Sequence, residues 1–170
     1  MRDLAAAADV SVETVYAAVG GKPAVFTATL NGAVVGDDDA VPLAERPAFL
    51  AIARGALPDR AAAAAALVTD IHRRTMGLQR ALREGARSEP ALAELLRTGE
   101  ENRRTNDADG LRLVLGRPVQ GAELDAIWAQ TSPEVYDALT RRGWTDDQYA
   151  AWVTRLVIGM ADEGTPDTEE

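Results

Sequence analysis

The chain has 170 residues, no cysteine, one histidine and a formal net charge of -9. That length supports one medium domain, or a small domain fused to a larger one. The missing thiols exclude disulfides and thiolate metal sites and leave the cytoplasm as the expected compartment. Its apolar runs, such as 61–67, fall far short of the roughly 20 residues that span a bilayer. Arg2 and Asp3 lead straight into a polar-capped motif, so no secretory leader is expected.

Aromatic residues are only 5% of the chain and strand-like runs are few, which predicts an all-α fold. In chain order, a short helix is expected over 1–8, then a turn at Asp9-Val10-Ser11 in which Ser11 caps the next helix, 12–18. Gly20-Gly21 stops that helix, and a third begins at Lys22 and Pro23 with Phe26, Leu30, Ala33 and Val34 on one face, ending at Gly36. Residues 36–47 carry Asp37-Asp38-Asp39 and two prolines and read as a solvated connection; a calcium loop would need a glycine and a distal glutamate that are absent.

Beyond the connection, a short helix is expected over 48–57. A long one follows over 59–87, with Leu67, Ile71, Leu78 and Leu82 returning to one face. Ser88-Glu89-Pro90 opens another, apolar at Leu92, Leu95 and Leu96, strongly polar over 97–109, and apolar again at Leu111, Val114 and Leu115. Carboxylates on this helix such as Glu94, Glu100 and Glu101 read as solvated faces. Two shorter helices follow over 122–130 and 133–142, the second entered through Thr131-Ser132-Pro133-Glu134. Thr145 and Gln148 form a capping box for a last helix. That helix places Tyr149, Val153, Leu156, Val157 and Met160 on one face with Trp152 beside them, and an acidic tail runs over 162–170.

Two helices around a tight turn near the amino end form a helix-turn-helix pattern, which also occurs in ordinary cores. The string DLAAAADVSVETVYAAVGGKPAVF resembles the TetR family of bacterial transcriptional regulators through Leu4-Ala5, Ala8-Asp9-Val10-Ser11, Thr14, Tyr16 and Lys22. The resemblance implies a TetR-like all-α fold: an amino-terminal DNA-binding unit, 1–36, and a ligand-sensing, dimerising helical bundle, 47–161. Ser11, Thr14, Tyr16 and Lys22 would then meet phosphates, a role that suits hydroxyl donors and a cation at a helix N-terminus. Val12 and Glu13 at the front of the second helix would reach base edges. Leu4, Ala5, Val10 and Val15 are expected to form the small core of the motif.

The match departs from the family at Asp9, where a glycine is usual, and at Val19, where a phenylalanine is usual. It also lacks the full helix that precedes the motif in TetR-like proteins. The expectation is therefore a loose amino-terminal unit and a natural start lying upstream. The charge footprint there is weak, because Lys22 is the only lysine and the first 31 residues set Arg2 and Lys22 against Asp3, Asp9 and Glu13.

By the same resemblance, the last helix would pair with its copy through Tyr149, Trp152, Val153, Leu156, Val157 and Met160, with 122–142 as companion. The bland alternative has that face closing its own core. A small-molecule pocket is placed at Ile71, His72, Met76, Leu92, Leu96, Leu111, Leu115 and Trp128. His72 itself reads first as a partly buried surface histidine and second as a pocket donor. No catalytic set, metal site or cofactor loop is found, so no enzyme is expected. The functional expectation is a ligand-responsive repressor that binds operator DNA as a homodimer. The alternative is a helical small-molecule-binding dimer that does not bind DNA.

Overall fold

Short helices come first because the local stop signals are dense there. In the computed structural model, which describes residues 1–37, 41 and 43–163, α1 (Arg2–Ala7) and α2 (Val12–Val19) flank a tight turn. Asp9 enters the left-handed region at φ 53, the only non-glycine among the described residues to do so. Aspartate tolerates that conformation better than most side chains. Ser11 caps α2 by accepting the Thr14 N–H at 3.1 Å. Gly20, at φ 83, ends α2, and α3 (Lys22–Val35) takes Pro23 in its first turn and stops at Gly36, φ 96.

Of the expected motif core, Ala5 and Val15 are buried, whereas Leu4 and Val10 are 44% and 42% exposed. The two small helices cannot enclose four side chains, and the larger bundle does not reach these two.

Asp37 forms a two-pronged ion pair with Arg46 at 2.5 and 2.8 Å; Asp38 and Asp39, and the tail beyond residue 163, lie outside the described residues. A 3-10 turn, Leu43–Glu45, leads into α4, Pro47–Ala51. The expected helix over 48–57 is cut short. Ile52, Ala53 and Arg54 each bond back three residues, and Gly55 at φ 86 reverses the chain before α5 begins.

The remainder is a bundle of α5 (Leu57–Ala86), α6 (Pro90–Leu115), α7 (Gly121–Gln130), α8 (Pro133–Thr140) and α9 (Asp146–Glu163). Asp59 anchors the start of α5 by accepting the Ala56 N–H at 3.3 Å. Ser132 caps α8, accepting from Val135 N–H at 3.3 Å. Thr145 and Gln148 bond reciprocally at 2.9 and 3.2 Å, so the capping box is in place.

α5 is the central helix, packed along α9 and α6 and also touched by α3, α4 and α8. Its deepest face differs from the expected leucine stripe. Ala61, Ala65, Thr69, His72, Thr75, Met76 and, from the expected stripe, Leu82 are buried, while Leu67, Ile71 and Leu78 are only partly so. Alanines remove bulk, which lets a neighbouring helix come close. The buried threonines avoid a desolvation cost by donating to the carbonyls four residues back, Thr69 to Ala65 at 2.6 Å and Thr75 to Ile71 at 2.8 Å. Val114, Ile127, Tyr149, Val153 and Val157 complete the core, where each large apolar side chain contributes about 1.5–3 kcal/mol. Among the described residues, no helix is long and apolar enough to cross a membrane.

Candidate functional site

Two regions can carry function, and a single helix joins them. The first is the exposed side of α2. Ser11, Glu13, Thr14, Tyr16 and Lys22 are exposed and Val12 is half-buried. Ser11 and Thr14 are also bonded to each other, Oγ to Oγ1, at 3.0 Å, so one of their two hydroxyl protons is already used.

The second region is a partly open cavity of about 540 Å³ lined by residues of α3 through α9, within the size range of small-molecule sites. Its α6 wall comes from positions three and four apart, including Leu96, Gly99, Arg103, Asp107, Gly110 and Val114. Those positions lie on one helical face. A Cβ added at Gly99 would meet nothing within 4 Å, and one at Gly110 only Ile52 Cδ1 at 3.8 Å. The two glycines therefore leave space along this wall. Leu67, Val68 and Ile71 of α5 and Leu30 and Val34 of α3 face the same space.

The polar part of the wall is built around Arg103. Its Nη1 donates to Asp107 Oδ2 at 3.1 Å and to the Trp128 carbonyl at 2.8 Å. Its guanidinium carbon stands 4.5 Å from the centre of the Trp128 ring, a cation–π contact that offsets part of the cost of burying the charge. Burial pushes the Asp107 carboxyl up to about 6, with Arg103 opposing the rise. Burial also pulls Arg103 below its ordinary value.

His72 is 2% exposed. It packs against Tyr136 and Tyr149, whose ring centres lie 5.3 and 6.0 Å away. Its Nε2 lies 2.9 Å from the Thr131 carbonyl; a carbonyl only accepts, so Nε2 carries the proton. Burial lowers the imidazole to about 4, against the raising effect of the Thr131 bond. At neutral pH His72 is uncharged, and its Nδ1 is a bare acceptor. That Nδ1, the Trp128 Nε1–H and the Tyr149 hydroxyl are buried with no hydrogen-bond partner among the described residues.

No family model, curated protein or solved structure matches this chain.

Of the expected pocket residues, Ile71, His72, Leu96, Leu111 and Trp128 line the cavity. Met76, Leu92 and Leu115 do not. Met76 sits roughly 100° round α5 from the wall residue Thr75 and is buried in the core instead. Leu92 lies over Gly85, where an added Cβ would stand 2.5 Å from its Cδ1. Leu115 packs against the core. His72 is buried, where a partly buried surface histidine was the first expectation.

Arg103 and Asp107 were not expected in the site, because they lie in the strongly polar stretch over 97–109, between the apolar positions that mark a buried face. The available clue was the run of glycines and polar residues at three- and four-residue spacing. Among the described residues, no group of three or more His, Asp or Glu side chains could hold a metal ion.

Of the face expected to pair with a second copy, Tyr149, Val153 and Val157 point into the chain's own core and are closed to any partner. Trp152, Leu156 and Met160 are partly buried. Trp152 meets Trp144 edge to face at 6.2 Å.

Proposed function

We propose that this protein is a TetR-like transcriptional regulator, a ligand-responsive repressor that binds operator DNA as a dimer. The observation that carries the reading is the double membership of α3. Its start, Lys22, follows the exposed face of α2 with only Gly20-Gly21 between, and its later turns, at Leu30, Asn31 and Val34, form a wall of the cavity. A molecule filling the cavity would press on α3 and re-aim α2. In a dimer, two recognition helices must match half-sites roughly one helical turn apart, about 34 Å. A small rotation of each α3 changes that spacing, and the ligand need only bind the non-matching state better.

Trp152, Leu156 and Met160 are the part of α9 that remains to meet a second copy. The second reading, a small-molecule-binding dimer without DNA binding, is favoured by the sparse positive charge of the first 31 residues. Band-shift titration on the DNA flanking its own gene, at two salt concentrations, separates the two. The repressor reading expects a salt-dependent shift, and Lys22→Ala should lower the salt slope by about 1. A folded, dimeric protein that gives no shift at either salt leaves the second reading standing.

A further inference from the structure

The polarity of the cavity changes along its length. Only 87–89 separate α5 from α6, so the two helices lie antiparallel and the start of α5 runs beside the end of α6. At that end the lining is apolar, with Leu67 and Val68 of α5, Leu111 and Val114 of α6, and Val153 and Val157 of α9. Towards the other end come Gln79 and Arg83 of α5, Glu100, Asn102 and Arg103 of α6, and Glu134 of α8. A molecule that matches this wall has an apolar chain and a polar head.

The charges around the head do not cancel. Arg103 pairs with Asp107 at 3.1 Å, and Arg83 pairs with Glu134. Glu100 also lines the cavity and has no ion pair among the described residues, although it stands close enough to Arg103 to favour that side chain's charged form. Three lining carboxylates therefore face two guanidiniums, and the excess negative charge lies on Glu100. The chain's net charge of -9 adds a field of the same sign. A ligand carboxylate would meet that excess with no free cation to answer it, whereas an ammonium would answer it.

The hydrogen-bonding groups agree with the charge. The side chains of Gln79, Asn102 and Asn106 line the cavity and make no hydrogen bond among the described residues, which leaves their amide oxygens free to accept from N–H. Gly99, Glu100, Asn102 and Asn106 are exposed as well as lining, so this stretch of α6 forms part of an open edge. A charged head held there keeps part of its hydration and avoids the full cost of burial.

We infer that the cavity binds a protonated primary amine on a long apolar chain, with the chain between α5, α6 and α9 and the ammonium at the open edge beside Glu100, Asn102 and Asn106. This rests on reading the cavity as a ligand site and is independent of DNA binding.

The test is calorimetric titration of the full chain at pH 7.5 with decylammonium, decyltrimethylammonium, decan-1-ol and decanoate, each below its micelle and solubility limit. Decylammonium should bind one to one, about threefold more tightly than the alcohol, as an ion pair at an exposed edge allows, and at least about tenfold more tightly than decanoate, where attraction becomes repulsion. Glu100→Gln should bring decylammonium down to the level of decan-1-ol and leave the alcohol unchanged. Glu101→Gln removes the same charge from a residue that does not line the cavity and pairs with Arg97, and should leave the order of the probes as it was. Decanoate or decan-1-ol binding as tightly as decylammonium overturns the cationic class. Decyltrimethylammonium binding as tightly overturns the N–H contacts to the amides. Equal weakening by Glu100→Gln and Glu101→Gln overturns the placement of the head, since the attraction would then be to the acidic chain as a whole. If no probe saturates, the ligand site itself falls, whereas a band shift with operator DNA would still stand or fall separately.

Discussion

Replacing Arg74 by alanine should loosen α3 from α5 while leaving the bundle folded. Arg74 donates from Nε to the Ala33 carbonyl and from Nη2 to the Val34 carbonyl, both at 2.9 Å, and Nη1 pairs with Asp70 on its own helix. The two carbonyls belong to the last turn of α3, where helical partners run out, so Arg74 both satisfies orphan acceptors and sets a cation at the negative end of the helix. A hydrogen bond to a charged group contributes about 1.5–3 kcal/mol. The side chain is 24% exposed, which puts each bond at the lower end and the pair at about 3 kcal/mol. At about 1.4 kcal/mol per decade, opening of α3 becomes roughly 100-fold more frequent. Native-state hydrogen exchange read by mass spectrometry would show this as faster exchange over 22–35 with α9 unchanged. Arg74→Lys, which keeps the charge but cannot reach both carbonyls in the same geometry, should lie between. Equal acceleration in α9, or none in α3, would refute the view that Arg74 holds the amino-terminal unit to the bundle.

Acid stability should reveal two opposing buried groups. His72 is depressed from 6.5 to about 4, so its contribution is fully present above pH 6.5 and is lost as pH falls towards 4, by about 3 kcal/mol. Asp107 is raised from 3.8 to about 6, so it favours the folded state at low pH and loses that advantage as pH rises from 4 to 6, by a similar amount. Urea denaturation between pH 4 and 6.5 should therefore be nearly flat from this pair in the wild type, fall on acidification in Asp107→Asn, and rise on acidification in His72→Phe. Parallel profiles for all three proteins would contradict both shifts. At the amino end, Asp9→Gly should steady the left-handed turn by up to about 1 kcal/mol, and Asp9→Val should weaken it by at least as much, read as exchange rates across α2. Valine tolerated as well as glycine would mean that the turn does not hold φ 53.

The helices were legible in the sequence because their ends are marked by local chemistry. Ser11, Ser132 and the Thr145–Gln148 box act within four residues of themselves, and Gly20 and Gly36 take positive φ where the pattern required a stop. The all-α class follows from the same signals. The cavity was half legible, through Ile71, His72, Leu96, Leu111 and Trp128.

What only the tertiary structure decided is which of several plausible faces is buried. A helix carries more than one candidate stripe, and the choice depends on what packs against it. On α5 the leucine stripe looked like the core, yet of it only Leu82 is deeply buried; Ala61, Ala65 and the self-satisfied Thr69 and Thr75 went inside, leaving Leu67 and Ile71 to the cavity. On α6 the middle is polar without an apolar stripe, yet Arg103 and Asp107 turned inward, where each neutralises the other and Trp128 covers the guanidinium. On α9, Tyr149, Val153 and Val157 close the chain's own core, leaving Trp152, Leu156 and Met160 as the candidate pairing face. Caps and turns are set by neighbours in sequence; burial of a charge or a choice of face is set by partners tens of residues away, such as Trp128 for Arg103 and Thr131 for His72.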